Sequence, residues 1–125
     1  MKDLKINKEL MSAVLGHNDI CNERIIQNKL LYMCKNDGMW DYEYEYNIYE
    51  FAFKCKEWAF ARNYSIMSRE AREYDICSPS VYKQVGLCNI LVNDNPNVSK
   101  GIFVDNTEIE AIIKACEWVL SEVYK

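Results

Sequence analysis

The chain has 125 residues, of which half are apolar and 13% are aromatic, so one domain with a buried core is expected and disorder is disfavoured. The formal net charge of −4 argues against a protein that binds duplex nucleic acid through clustered Lys and Arg. No apolar run approaches the roughly 20 residues of a membrane span, so we expect no membrane partner.

The cysteines and the single histidine, His17, bear on redox state and metal binding. The six cysteines include no C-x-x-C pair, so we expect no metal site. The N-terminus, MKDLKINKEL, lacks the apolar core of a signal peptide, which predicts a cytoplasmic protein whose six thiols are all reduced.

The first predicted element is a short helix from Asn7 to Leu15. Asn7 is suited to cap its start, and Gly16 is suited to end it. His17 follows the helix with no acidic, Ser or Cys partner at a motif spacing, which favours a surface loop histidine.

A β-hairpin is predicted next. After a short strand at Arg24 to Ile26, a second strand at Leu30 to Lys35 leads into the turn residues Asn36, Asp37 and Gly38, and the return strand is Met39 to Tyr46. Alternation along the return strand places four aromatic residues on one face and three acidic residues on the other. The aromatic residues are Trp40, Tyr42, Tyr44 and Tyr46, and the acidic ones are Asp41, Glu43 and Glu45.

The central predicted element is a helix from Asn47 to Arg62, with one apolar stripe at the helical period. The stripe consists of Ile48, Phe51, Ala52, Cys55, Trp58 and Ala59. Asn47 and Glu50 are spaced as a capping box, and Asn63 is suited to a left-handed stop.

The second half of the chain predicts strands and a final helix. The strand from Tyr64 to Ser68 leads to a charged hairpin tip at Arg69 to Glu73 and a return at Tyr74 to Cys77. A loop at Ser78 to Ser80 follows, because Pro79 does not fit a central strand. The later elements are a strand at Val85 to Val92 with Gly86 as a possible bulge, a turn at Asn93 to Asn97, a strand at Val98 to Asp105, and a helix capped by Thr107 with Glu110.

These elements predict a single α+β domain over residues 1–125. It consists of an antiparallel β-sheet with two long amphipathic helices in a sandwich-like arrangement and a short N-terminal helix. The two long helices are expected either to cover one face of the sheet or to lie on opposite faces.

No phosphate-binding, metalloprotease or nucleophile-elbow motif occurs, so we expect neither an enzyme nor a cofactor. Binding is the more plausible activity, because arginine suits bidentate phosphate contacts and aromatic rings offer stacking faces. The candidate ligand-binding residues are Arg24, Arg62, Arg69, Arg72, Trp40, Tyr42, Tyr74 and Tyr82.

The stretch NIYEFAFKCKEWAFARNYSIMS, followed about 40 residues later by DNTEIEAIIKACEWVLSE, resembles a group of small phage and prophage proteins. The short opening helix INKELMSAVLG also fits this group, which is similar to the phage α-β-α sandwich domain. Some members of that family are anti-Thoeris proteins, which trap cyclic ADP-ribose-type or cyclic oligonucleotide signals without degrading them. The resemblance implies an oligomer with ligand pockets between protomers.

Two functional hypotheses follow. The first is a phage counter-defence protein that sequesters a nucleotide-derived immune signal in the cytoplasm of an infected bacterium, as a dimer or hexamer. The alternative is an interaction module that blocks a host defence protein with its acidic strand face.

Overall fold

The structure is a computed structural model that describes residues 4–36, 39–40, 43–75 and 78–125, with side chains described outside 35–40 and 73–82. These residues form three helices and eight strands. In chain order they are α1 (Lys8–Leu15), β1 (Cys21–Ile26), β2 (Lys29–Met33), β3 (Lys35–Asn36), β4 (Met39–Trp40), β5 (Tyr44–Asn47), α2 (Ile48–Phe60), β6 (Tyr64–Asp75), β7 (Ser78–Val92), β8 (Asn95–Asp105) and α3 (Glu108–Val123).

All strand pairs among the described residues are antiparallel, and they form three sheets ordered β1-β2-β5, β3-β4 and β6-β7-β8. The predicted α+β class and the short N-terminal helix are therefore confirmed. The predicted sandwich-like arrangement with a single sheet is not confirmed, because the described strands are divided among three sheets.

The helix starts agree with the sequence because capping is a local property. The side-chain oxygen of Asn7 accepts hydrogen bonds from the N–H groups of Glu9 and Leu10 at 2.7 and 3.2 Å. Asn47 accepts one from the N–H of Tyr49 at 2.8 Å. The hydroxyl of Thr107 accepts one from the N–H of Glu110 at 3.2 Å.

The helix ends are also set by local conformation. Gly16 ends α1 with a left-handed φ of 75°. Asn63, just beyond the end of α2, has the predicted left-handed conformation, also with a φ of 75°. Both residues are of the type that adopts this backbone region at low cost.

One part of the core lies between the two longer helices and one face of the β6-β7-β8 sheet, and Leu10 and Met11 of α1 with Leu30 and Tyr32 of β2 extend the same cluster. The predicted apolar stripe of α2 is buried throughout, and α3 buries a wider apolar face against it. Ile66, Cys88 and Ile90 supply the sheet side of the core. Ser68 of β6 hydrogen-bonds to Lys56 of α2 and to Glu108 of α3, so both helices cover the same face of the sheet. On the opposite face, Met67, Ile102 and Val104 are exposed.

Two predictions in the β6–β7 region are wrong. Residues 69–73 are not a hairpin tip, because β6 continues in register with β7 from Tyr64 through Tyr74. Residues 78–80 are not a loop, because β7 begins at Ser78. Pro79 is tolerated in β7 because β8 pairs only with Gly86–Val92, so no strand of the described ranges pairs with that side of β7 at Pro79.

Gly86 and the turn after β7 also differ from the prediction. Gly86 pairs in register with Glu70 and Asp105, and the register shifts of β7 against β8 lie farther along, between Ile90 and Val92. The turn is shorter than predicted, since β8 begins at Asn95. Gly86 is needed because a Cβ there would lie 2.0 Å from the carbonyl of Thr107.

The predicted hairpin of the first half is present but divided. The first strand begins at Cys21 rather than Arg24, and β2 ends before Lys35, which belongs to β3. The return strand consists of β4 and β5. Residues 41–42, which separate these two strands, lie outside the described residues, and so do Asp37 and Gly38 of the predicted turn. In β5, Tyr44 and Tyr46 are half-buried while Glu45 is exposed, as is Glu43 just before the strand, in agreement with the predicted alternation.

Candidate ligand-binding site

A pocket of about 340 Å³ lies between the outer side of α2 and the start of α3, and we call it the α2–α3 pocket. Its volume lies within the range typical of small-molecule sites. Tyr49 and Phe53 from successive turns of α2 border it, with 53% and 63% of their surface exposed. The remaining lining residues are Ala52, Lys56, Glu70, Thr107, Glu108, Ile109 and Ile112.

The polar groups of the α2–α3 pocket are held by a hydrogen-bond chain. The ammonium of Lys56 donates to the hydroxyl of Ser68 at 2.6 Å, and that hydroxyl donates to the carboxylate of Glu108 at 2.7 Å. On the β6 side, the carboxylate of Glu70 accepts a hydrogen bond from the side-chain amide of Gln84. A cation and two carboxylates are therefore positioned around one opening.

The first turn of α3 forms one wall of this pocket through Thr107, Glu108 and Ile109. The N-terminus of a helix carries a partial positive charge and backbone N–H donors, which favour a bound anion. Lys56 can contact a phosphate here, beside the Glu108 carboxylate that already lies in the first turn of α3, while the two aromatic rings can stack on a base. The carboxylates of Glu70 and Glu108 can accept hydrogen bonds from ribose hydroxyls.

Two further pockets offer less for such a ligand. The larger, of about 570 Å³, lies between α1, residues 18–20 and Tyr124, and its cation Lys8 is ion-paired with Glu23 at 3.7 Å. The smaller, of about 190 Å³, is bordered by Arg24 and lies below the usual size of ligand pockets.

The structure does not bring the four predicted arginines together. Arg24 of β1 is ion-paired with Glu43 and donates to the backbone carbonyl of Asn22 at 3.1 Å. The guanidinium carbon of Arg62 lies 4.5 Å from the centroid of the Trp58 ring, as in a cation–π contact. The same guanidinium donates a hydrogen bond to the backbone carbonyl of Trp58 at 3.1 Å, so Arg62 is held against the end of α2.

Arg69 and Arg72 are both exposed on β6, three residues apart. Because side chains alternate along a strand, the two arginines lie on opposite faces of the sheet. Arg72 shares its face with Glu70 of the α2–α3 pocket, whereas Arg69 shares the open face with Met67.

The four aromatic candidates lie where the structure does not describe side chains. Tyr42 is outside the described residues. Trp40, Tyr74 and Tyr82 have a described backbone in β4, β6 and β7, and the latter two are cross-strand partners.

His17 lies in the loop between α1 and β1, as predicted, but it is not a freely exposed side chain. It is half-buried, its Nδ1 is hydrogen-bonded to the hydroxyl of Tyr32 at 2.7 Å, and its ring lies 4.5 Å from that of Tyr44. The hydrogen bond joins residues 15 positions apart, so no local motif could have indicated it.

The predicted site residues do not include Tyr49, Phe53 or Lys56, because the apolar stripe of α2 indicates only a packing helix. One signal was present: Tyr49 and Phe53 are spaced i, i+4 and lie off the apolar stripe, so they form an aromatic pair on the solvent side of the helix. Lys56 follows Phe53 by three positions and extends this second face.

Within the part of the chain that the structure describes, no group of His, Cys, Asp or Glu is arranged to hold a metal ion. No helix among those residues has the length and apolar character needed to cross a membrane. Comparison of the chain with known protein families, curated proteins and solved structures finds no match.

Proposed function

We propose that this protein binds and sequesters a nucleotide-derived immune signal without degrading it, as a phage counter-defence protein in an infected bacterium. The observation that carries the proposal is the α2–α3 pocket, in which two exposed aromatic rings stand beside a lysine, two carboxylates and a helix N-terminus. A nucleotide needs these groups: stacking faces, a phosphate partner and hydroxyl acceptors. The sequence resemblance to the phage α-β-α sandwich domain supports the cyclic ADP-ribose or cyclic oligonucleotide class of ligand.

The oligomer and the sandwich-like arrangement that the resemblance implies remain part of this proposal. The proposed oligomer would enclose a pocket that is open in one chain. Enclosure would raise specificity, because the polar groups of a closed site are left unpaired by a wrong ligand.

The alternative, a protein that blocks a host partner with its acidic strand face, has less support. Glu43 is ion-paired with Arg24, and Glu45 is ion-paired with Lys29 at 3.0 Å. Both carboxylates are thus partly neutralised within the chain, which weakens the attraction they would offer to a cationic partner.

The proposal is tested by calorimetry of the full chain with cyclic ADP-ribose isomers and with cyclic di- and trinucleotides. The bound ligand is then released by heat and analysed by mass spectrometry. We expect at least one of these probes to bind and to be recovered intact. Recovery of a cleaved product would indicate an enzyme, and absence of binding by every probe would contradict the proposal.

The position of the site is tested by variants with matched controls. Phe53→Ala should weaken binding by ~1–3 kcal/mol through lost stacking. Lys56→Ala should weaken it by ~1.5–3 kcal/mol through a lost charged hydrogen bond. Phe60→Ala is the control for Phe53, since Phe60 is on the same helix, is equally exposed at 63% and does not border the pocket. Equal effects of the two Phe variants would exclude this pocket as the site.

A further inference from the structure

The outer edge of β6 has two backbone features that concern assembly. In the described part of the chain β6 is paired with β7 only, so its other edge has no neighbouring strand. β8 pairs with β7 only as far as Gly86, so residues 71–75 and 78–85 form a two-stranded ribbon beyond the three-stranded sheet. Two-stranded ribbons are marginally stable without further cover.

The charges on this edge follow a self-complementary order. Residues 69–73 are Arg-Glu-Ala-Arg-Glu, with Ala71 at the centre. When this strand pairs antiparallel with a second copy about a twofold axis at Ala71, Arg69 stands opposite Glu73 and Glu70 stands opposite Arg72. All four charged positions of each copy thus meet an opposite charge, and the small Ala71 meets itself at the axis.

Neighbouring registers lack this property. With the twofold axis at Glu70, the two Glu70 carboxylates of the dimer stand opposite each other. With the axis at Arg72, the two Arg72 guanidinium groups do. Like charges directly opposite each other on paired strands are destabilising, whereas opposite charges are stabilising. Charges that only protect an edge from pairing need no such order.

From these observations we infer that the chain forms a homodimer through β6, in which the two copies of residues 67–75 pair antiparallel about Ala71. The pairing joins the two three-stranded sheets into one continuous six-stranded sheet. Because opposite residues in an antiparallel pair share a face, the helices of both protomers lie on the same side.

One consequence rests on the proposed function. Glu70 borders the α2–α3 pocket, and its cross-strand partner in the dimer is Arg72 of the partner subunit. The dimer thus adds a guanidinium, the group best suited to phosphate, to the rim of each pocket. The inferred dimer itself does not depend on any ligand.

The interface is tested by charge exchange, with mass measured by light scattering over a concentration series. Wild type should show twice the 14.7 kDa of the chain. Arg72→Glu places like charges opposite each other twice per dimer and should raise the dissociation constant by roughly tenfold or more. The double variant Glu70→Arg with Arg72→Glu restores both pairs in exchanged order and should dimerise as wild type does. Circular dichroism of each variant verifies that the fold is retained.

A second variant tests the register directly. In the inferred dimer the two copies of Ala71 face each other at the ~4.5–5.5 Å Cα separation of opposed strand residues, which a disulfide can span. Ala71→Cys should therefore give a covalent dimer under mild oxidation by diamide, whereas Lys83→Cys on the neighbouring strand should not.

The inference is overturned by a monomeric wild type at every concentration, or by a dimer that Arg72→Glu leaves unchanged. It is equally overturned if the exchanged double variant fails to dimerise or if Ala71→Cys gives no covalent dimer. Ligand binding is measured separately, so failure of the proposed function and failure of the dimer can be distinguished.

Discussion

Tyr32 illustrates how one residue can combine burial with a polar contact. Tyr32 belongs to β2, the central strand of the β1-β2-β5 sheet, and its side chain is fully buried. Its ring stacks with that of Tyr44 at a centroid distance of 5.4 Å, and its hydroxyl is hydrogen-bonded to His17. Burial raises the pKa of the Tyr32 phenol far above its ordinary value, and the nearby Tyr46 adds to the shift. The folded protein therefore requires this phenol to keep its proton.

Tyr32→Phe should lower the free energy of unfolding by about 1 kcal/mol at neutral pH, because one buried hydrogen bond is lost. In wild type the raised pKa stabilises the folded state fully below the unfolded-state value of about 10, and this stability is lost as pH rises above that value. The loss for one group is about 1.4 kcal/mol per pH unit. Urea unfolding at several pH values should show the difference between wild type and Tyr32→Phe shrinking above about pH 10.

The control for this prediction is Tyr49→Phe, which removes a phenol that is about half exposed. At neutral pH its unfolding free energy should differ little from that of wild type, because an exposed phenol can bond to water in both states. A difference between wild type and Tyr32→Phe that stays constant into the alkaline range would show that Tyr32 is not the titrating group.

At the scale of elements, β7 lies very close to the start of α3 at Gly86. A Cβ at Gly86 would lie 2.0 Å from the carbonyl carbon and oxygen of Thr107 and 2.2 Å from the backbone nitrogen of Glu108. These are backbone atoms, which cannot rotate away as a flexible side chain can. The strand and the helix can come this close only because residue 86 has no side chain.

Gly86→Ala should destabilise the protein by about 3 kcal/mol or more, since either β7 or α3 must move. Gly16→Ala is the comparison: nothing lies within 4 Å of a Cβ there, and the φ of 75° alone should cost about 1–2 kcal/mol. Chemical denaturation of both variants measures the two losses. A smaller loss for Gly86→Ala than for Gly16→Ala would contradict the close contact between β7 and α3.

For the molecule as a whole, the core determines how the thiols react. Among the described residues Cys34, Cys55, Cys88 and Cys116 are buried without disulfides, and Cys21 is half-exposed. Burial raises the pKa of Cys88 to about 12 and that of Cys55 well above its ordinary value, with Cys116 adding to the latter shift. Since the thiolate is the reactive form, these groups are protected by both inaccessibility and protonation.

In the native protein, a thiol-specific alkylating reagent should therefore modify Cys21 well before the four buried cysteines. Peptide mapping by mass spectrometry resolves each site. In denaturant without reductant, all six thiols should react, as the sequence predicts for a reducing compartment. Labelling of Cys55 or Cys116 as fast as Cys21 would refute the buried packing of α2 against α3, and fewer than six reactive thiols would reveal a disulfide.

The sequence alone determined the features that depend on residues close to each other in the chain. The caps at Asn7, Asn47 and Thr107 and the apolar stripes of α2 and α3 follow from local hydrogen bonding and from the 3.6-residue period. The α+β class and the antiparallel pairing follow from strands separated by turns with few helices between them.

Tertiary structure alone decided the features that depend on residues distant in the chain. Arg69 to Glu73 were predicted as a tip because charged residues suit turns, yet pairing with residues 83–87 makes them a strand. His17 gains its partner from β2, and the α2–α3 pocket forms only where Tyr49 and Phe53 meet the start of α3 and Glu70 of β6. Local chemistry sets which conformations a segment favours, but cross-strand hydrogen bonds and the packing of distant side chains select among them, and these appear only when the chain is folded.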